Sequence, residues 1–350
     1  MNEIIQILDA HLSAHPAAKS ADIYKLLYQN EFGGGHLITD LDACRGRLLR
    51  ELSETCEDQR SPVCTDIGNG RVRLELKNPA VRVLGAEVLC RMFSESAKRT
   101  GNEKEFKRTL ETVANHLDSH YPLLCGDFRE YAEARKAEGY PAVSHSTEYR
   151  DSYSPAYRVV NAKYVRLINL LIRINSILSE KKRAVIALEG RSASGKTTAA
   201  TLISTLYETN IIHMDDFFLP PELRTAERYG EAGGNVHYER FREEVVSGLE
   251  RQSGFSYRVF DCSRMDYIDT VKIEPKPLTI VEGAYSAHPR VSFKYDLICF
   301  FEITSGEQKR RITERNGEQM YERFREIWIP LENKYFDAFS VKKKSELIIE

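Results

Sequence analysis

The segment Gly190-Arg191-Ser192-Ala193-Ser194-Gly195-Lys196-Thr197 limits what this chain can fold into more than any other part of it. Its spacing, G-x-x-x-x-G-K-T, is the Walker A form of a phosphate-binding loop. Such a loop wraps phosphate closely with backbone N–H groups, so bulk is excluded at Gly190 and Gly195. The helix that follows offers unpaired N–H groups and the positive end of its dipole. The Lys196 ammonium suits the β- and γ-phosphates, and the Thr197 hydroxyl suits Mg²⁺. An apolar run, Ala184 to Leu188, leads into the loop, and small and apolar residues follow it. Gly190, Ser192, Ala193, Ser194, Gly195, Lys196, Thr197 and Thr198 are therefore the expected ATP site, with Thr197 also a metal ligand.

From Arg183 onward the sequence alternates between short apolar runs and helical patterns. Strands are expected at Ala184–Leu188, Ile211–Met214, Leu278–Val281, Leu297–Phe301 and Leu347–Ile349, with helices after the loop, over Tyr238–Leu249 and over Glu307–Arg315, the last capped by Ser305 with Gln308. Such a pattern implies an α/β fold: a P-loop NTPase-type parallel sheet with helices on both faces. Ligands in these sheets sit at the carboxyl ends of the strands. Asp215 and Glu282 fall there. Asp215 is placed to take a proton from an attacking hydroxyl, or to cap a turn. Glu282 is placed to hold Mg²⁺ directly or through water, or to stand behind the metal as a structural carboxylate. Arg310, Arg311 and Arg315 share a helix. They form either a lid that neutralises charge on the phosphates or a solvated helix face.

Residues 1–179 read as a mainly α-helical N-terminal domain and 183–350 as the P-loop domain, divided by the polar run Ser179 to Arg183. Helical spacing covers Asn2–His11, Ser20–Gln29, Asp40–Leu52, Ala80–Lys98 and Glu103–Leu117, the last opened by an Asn102/Glu105 capping pattern. Gly68-Asn69-Gly70 between two apolar runs signals a hairpin. Ser154-Pro155 is read as the N-cap and first position of a long helix through about Leu178. Two stretches stay unassigned. Asn30 to Asp40, with three glycines before His36, fits either close backbone approach to a ligand or a helix-ending turn. The other is Ser152 to Arg158.

With 350 residues, 42% of them hydrophobic, the chain can bury the cores of two or three domains. A net charge of −2 gives no global nucleic-acid footprint. Met1 to His15 has no secretory apolar core, and Val165 to Leu178 is broken by Arg166, Asn169, Arg173 and Asn175, so no membrane span is expected. The seven cysteines include no C-x-x-C and fit reduced thiols, hence a cytoplasmic protein.

The segments "GRSASGKTT", "MDDFF", "FDCSR", "IVEGAYS", "KRRITER" and "SELIIE" occur in the order seen in the uridine kinase/phosphoribulokinase group of P-loop kinases, which residues 183–350 resemble. "DDFF" also resembles the nicotinamide riboside kinases. The resemblance implies transfer of the ATP γ-phosphoryl group to a hydroxyl of a small molecule, often a nucleoside. By position it implies Asp215 as base, Lys196, Arg311 and Arg315 as catalytic helpers, and Asp216, Phe260, Asp261 and Arg264 as substrate contacts. There are departures. "YRVFDCSRMDY" has no histidine between Asp261 and Arg264, and "GGNVHYERF" resembles a GGNxDxxRF pattern in which His237 replaces the acid. The expected partner is a small, nucleoside-like hydroxyl compound, without nucleic acid or membrane; an oligomer is compatible with these features. The rival reading is an ATP-binding switch whose helical domain engages a partner. A nucleic-acid end kinase is disfavoured by the acidic balance.

Overall fold

The computed structural model describes residues 3–38 and 40–350; Asn2, where the first expected helix opens, and Thr39, in the glycine-rich stretch, lie outside the described residues. The chain divides into two compact units, Met1–Ile168 and Asn169–Glu350.

The first unit carries helices α1 (Glu3–Ala14), α2 (Ser20–Phe32) and α3 (Leu41–Glu54), strands β1 (Cys64–Gly68) and β2 (Arg71–Glu75), and helices α4 (Pro79–Arg82), α5 (Gly85–Ala97), α6 (Glu103–His120), α7 (Pro122–Ala137) and α8 (Thr147–Tyr153). It ends with β3 (Tyr157–Asn161) and α9 (Ala162–Arg166). Its core joins Leu8, Ile23, Leu27, Phe106, Val113 and Phe128. The Asn102 carboxamide caps α6 by accepting from Lys104 N at 2.9 Å. The β1–β2 hairpin forms where Gly68-Asn69-Gly70 signals it. The glycine run ends α2: Gly33 lies at φ +67° and its N–H donates to Gln29 O.

The long helix expected from Ser154-Pro155 does not form. Ser154 instead ends α8 in the left-handed region, and Tyr157–Asn161 pairs antiparallel with β2. A Ser-Pro pair resembles a helix start locally, but aromatic and β-branched residues at Tyr157, Val159 and Val160 favour the sheet they complete. The division of the chain also falls ahead of the polar run Ser179–Arg183. Helix α10 (Ile168–Glu180) goes, from Asn169 onward, with the second unit, where Leu171 O accepts from the Tyr207 hydroxyl.

The second unit is built on β4 (Ala184–Gly190), α11 (Lys196–Ser204), β5 (Thr209–His213), α12 (Ala226–Gly230) and α13 (Tyr238–Phe241), which runs through a π-segment, Arg242–Val246, into α14 (Ser247–Arg251). An antiparallel pair, β6 (Phe255–Asp261) and β7 (Asp266–Ile273), stands outside the main sheet. Then come β8 (Leu278–Glu282), β9 (Leu297–Phe301), α15 (Ser305–Asn316), α16 (Glu318–Arg323), α17 (Ile329–Phe339), α18 (Val341–Lys344) and β10 (Leu347–Ile349). The five expected strands form one parallel sheet in the order β10-β9-β4-β8-β5. Both of its faces are covered, because successive residues of each strand point to opposite sides. Ala187, Ile212, Val281 and Phe300 pack with Phe241, Val245 and Phe336, while α11 lies against β4, β5 and β8. Helix α15 is capped by Thr304 rather than Ser305: the Thr304 hydroxyl accepts from Glu307 N at 3.3 Å. Among the described residues no helix is long and apolar enough to cross a membrane.

The two P-loop glycines are needed for different reasons. Gly190 lies at φ +138°, and a Cβ there would overlap the Phe301 carbonyl oxygen of β9. Gly195 lies at φ +100°, and a Cβ there would meet only Arg311 Nη1 at an ordinary 3.9 Å, so its constraint is the backbone angle. Gly190→Ala is therefore expected to lower stability by about 2–4 kcal/mol through strain and overlap. Gly195→Ala should cost less, and denaturant unfolding of both variants compares them.

Candidate active site

Parallel pairing brings the expected residues together. Leu188 of β4 and His213 of β5 both pair with Glu282 of β8, so the loop, Asp215 and Glu282 share one end of the sheet. The Thr197 hydroxyl donates to Glu282, 3.0 and 3.1 Å from its two oxygens. His213 Nδ1 lies 2.6 Å from Glu282 Oε1, and this bond raises the His213 pKa. Thr197 and Glu282 thus present hard oxygen donors side by side, which is the ligand chemistry Mg²⁺ prefers. Lys196 folds back over the loop, donating to Gly190 O at 2.8 Å and Arg191 O at 2.9 Å.

Asp215 occupies the turn Met214–Phe217 after β5. Its side chain keeps exposed surface yet is ringed by protein, and this partial desolvation raises its carboxyl above the usual range, against the pull of Lys196. Asp216 is engaged elsewhere: its carboxylate accepts from the Tyr257 hydroxyl at 3.3 Å, and its carbonyl accepts from Arg240 at 2.5 Å.

The remaining expected residues separate. Arg311 reaches the P-loop, donating to Ala193 O at 3.1 Å, and Arg315 lies within electrostatic reach of Asp215. Arg310 turns away and pairs with Glu307 and Glu314 on a solvent-facing side of α15. Phe260 is buried and stacks edge-on with Tyr267 inside the β6–β7 pair, as packing does. The Asp261 carboxylate accepts from Ser263 N and Oγ, both at 2.6 Å, so it braces the turn after β6. Arg264 is 73% exposed, at 4.0 Å from Asp261.

Two carboxylates escape the sequence reading. Glu189 has no exposed surface and accepts from Gly190 N (3.0 Å), Tyr285 N (3.0 Å), Ala287 N (2.9 Å) and the Tyr335 hydroxyl (3.0 Å). Burial pushes its pKa up to about 7, against those donors and Lys196. The only local signal is a charged residue inside an apolar strand. Glu332 of α17 accepts from Ser192 N at 3.1 Å and from the Ser192 hydroxyl, while Arg191 bonds Asn333 and Gln308 Nε2 donates to Ser192 O at 3.0 Å. Helices α15 and α17 therefore clamp the loop from above, and nothing near the motif announces it.

No family model matches the chain, and no curated protein does. Among solved structures it is similar to a possible uridine kinase from Bacillus stearothermophilus, at 17% identity and a TM-score of 0.38 over 52% of this chain and 100% of that one. It is also similar to the YGR205w protein, at 15% identity and a TM-score of 0.35 over 51% of this chain and 85% of that one. The fold assignment rests on the chain's own sheet order and loop.

Glu189→Gln would turn an amide NH₂ toward N–H donors and is expected to destabilise the second unit by about 2–4 kcal/mol. Thermal melts of the full chain, with Glu314→Gln as a surface control, measure this.

Proposed function

We propose that the second unit is an ATP- and Mg²⁺-dependent phosphotransferase that moves the γ-phosphoryl group to a hydroxyl of a small, nucleoside-like molecule, as a uridine kinase-like enzyme would. The observation that carries this is the meeting of Lys196, Thr197, Glu282 and Asp215 at one end of the parallel sheet. Phosphoryl transfer needs little covalent chemistry from a protein and much positioning and charge neutralisation.

The loop N–H groups from Ser192 to Thr198 bind the phosphates, and Lys196 swings from its two carbonyl partners to the β- and γ-oxygens. Thr197 and Glu282 would hold Mg²⁺, which when bound draws charge from the phosphate oxygens. His213 steadies Glu282 and keeps the carboxylate oriented toward Thr197. Asp215 accepts the acceptor's hydroxyl proton as the oxygen–phosphorus bond forms. Arg311 holds the loop closed through Ala193 O, and Arg315 adds positive potential at Asp215. The acceptor side lies along Asp216 and the turn after β6. Asp215 is within electrostatic reach of Cys262 there.

One observation favours the rival reading of an ATP-binding switch. The Glu332 carboxylate occupies Ser192 N–H, a loop donor that phosphate would need, and would have to yield to nucleotide. That couples α17 to loop occupancy, which a switch requires and a kinase tolerates.

Asp215→Asn is expected to keep ATP affinity and slow single-turnover transfer to a panel of nucleosides by about 10²–10⁴-fold. Because burial raises the Asp215 pKa, the native rate should climb with pH across a limb above the ordinary carboxylate range, and the variant should lack that limb. Retention of native transfer by Asp215→Asn removes the carboxylate from the reaction. ATP binding without transfer to any nucleoside favours the switch.

Truncation separates the arginines. Arg311→Ala should lower kcat about tenfold or more, as loss of a charge-assisted loop contact does. Arg310→Ala should lower kcat far less, since Arg310 itself does not reach the loop and Glu307 keeps its bond to Arg311 at 2.6 Å. Steady-state kinetics on both variants decide it.

A further inference from the structure

One face of the parallel sheet in the second unit changes character along its strands. Ala187, Val281 and Ile212 are cross-strand neighbours on that face, and none has exposed surface. Two residues earlier on each strand the same face carries Val185, Thr279 and Asn210, again in register across β4, β8 and β5. A hydroxyl and a carboxamide therefore stand side by side next to an apolar core layer. Both residues are buried, Thr279 at 6% exposure and Asn210 at 8%.

This row floors a cavity of about 280 Å³ that is partly open to solvent. Val185 lies five residues before Gly190 on β4, so the cavity is about 16 Å from the P-loop, at the opposite end of the same strands. Leu249 of α14, Phe255 of β6 and Phe293 supply apolar walls. Gly248 makes room for one of them, since a Cβ there would lie 2.2 Å from Cδ1 of Phe255.

The polar floor is not used up by the protein. Asn210 Nδ2 donates to Glu274 O at 2.8 Å, which fixes the carboxamide with its NH₂ toward that carbonyl. Among the described residues nothing bonds Asn210 Oδ1 or the Thr279 hydroxyl, and neither oxygen is fully enclosed, so both keep surface in the cavity. The charges around the mouth cancel: Lys181, Arg183 and Lys276 stand against Glu250, Glu274 and Asp296. Lys181 pairs with Asp296, Arg183 donates to Gln252 O at 2.5 Å, and Lys276 donates to Thr209 O at 3.1 Å. Such a site offers an ion no net attraction. It offers a neutral molecule apolar walls with a donor and an acceptor on the floor.

We propose that this cavity binds an uncharged planar ring lactam, a pyridone- or pyrimidinone-type ring. The ring N–H donates to Asn210 Oδ1, the ring C=O accepts from the Thr279 hydroxyl, and Leu249, Phe255 and Phe293 cover the apolar surface. A rigid ring presents both polar atoms at a fixed spacing and loses no internal freedom on binding. Its flat faces suit aromatic walls. A cavity of about 150 Å³ takes benzene, so this one holds a single substituted ring. The site is separate from the acceptor position at Asp215 and does not depend on the phosphotransferase reading.

The test is saturation-transfer NMR on the full chain, titrating 2-pyridone with ATP and Mg²⁺ present. Saturable binding in the millimolar range is expected. N-methyl-2-pyridone, which lacks the N–H, should bind about threefold to tenfold more weakly, as loss of one neutral hydrogen bond does. Thr279→Val keeps the shape without the hydroxyl and should weaken 2-pyridone by a similar factor, while Thr279→Ser should retain binding. Thr270→Val, on the exposed side of β7, should match the native chain. Should Thr279→Val fail to fold, Leu249→Trp, which fills the cavity from a partly exposed position, carries the test by abolishing binding. The proposal is overturned by absence of saturable binding, by equal affinity for the N-methyl compound, by native affinity in Thr279→Val or Leu249→Trp, or by equal weakening in Thr270→Val.

Discussion

Beneath the P-loop a carboxylate with no exposed surface, Glu189, collects N–H groups from Gly190, Tyr285 and Ala287 and the hydroxyl of Tyr335. Burying an ion costs several kcal/mol unless donors surround it. Here they come from the start of the loop, from the segment following Glu282, and from α17. One charge thereby joins the phosphate loop to the segment after Glu282 and to the helix that carries Glu332. Gly190 and Gly283 both lie at φ +138°, so the backbone turns sharply on either side of this group. The alignment of Thr197 with Glu282 depends on that arrangement.

The sheet was legible because strands buried on both faces read as unbroken apolar runs, and the loop was legible because its spacing is dictated by phosphate. The position of Asp215 and Glu282 at one end of the sheet was legible because Glu282 closes one apolar run and Asp215 follows another. What escaped depends on distant partners. Glu332 meets Ser192 across most of the second unit, and no local pattern marks it. Arg310 and Arg311 look equivalent in sequence, but adjacent helical residues point about 100° apart, and only Arg311 faces the loop. Asp261 and Phe260 sit in a segment resembling a substrate motif, and their observed contacts are with their own turn and hairpin. At Ser154-Pro155 a local capping signal lost to pairing with β2.

The two units handle buried charge in opposite ways. Around Glu189 a single anion meets more donors than it has oxygens. Along the inner face of β2, cations meet fewer acceptors than they have protons. Arg71 resolves this with the carbonyls of Asn30 (2.7 Å) and Arg99 (3.2 Å), which leaves it structural. Arg73, two residues on, has a single amide oxygen and an aromatic ring. The contrast within one strand is between a guanidinium whose donors meet carbonyls and one that keeps a buried donor without an acceptor.

The strand order has a kinetic consequence. The central strand β4 is flanked by β8 and β9, both of which lie far downstream in the chain. As the polypeptide leaves the ribosome, Ala184–Gly190 emerges with both edges unpaired; one stays open until Leu278–Glu282 is made and the other until Leu297–Phe301. Parallel pairing across such separations is slow because loop closure precedes any reward from contact. During that interval an apolar strand with two open edges is a template for the wrong partner. The strand that leads into the P-loop is thus the one that waits longest for its last partner during synthesis.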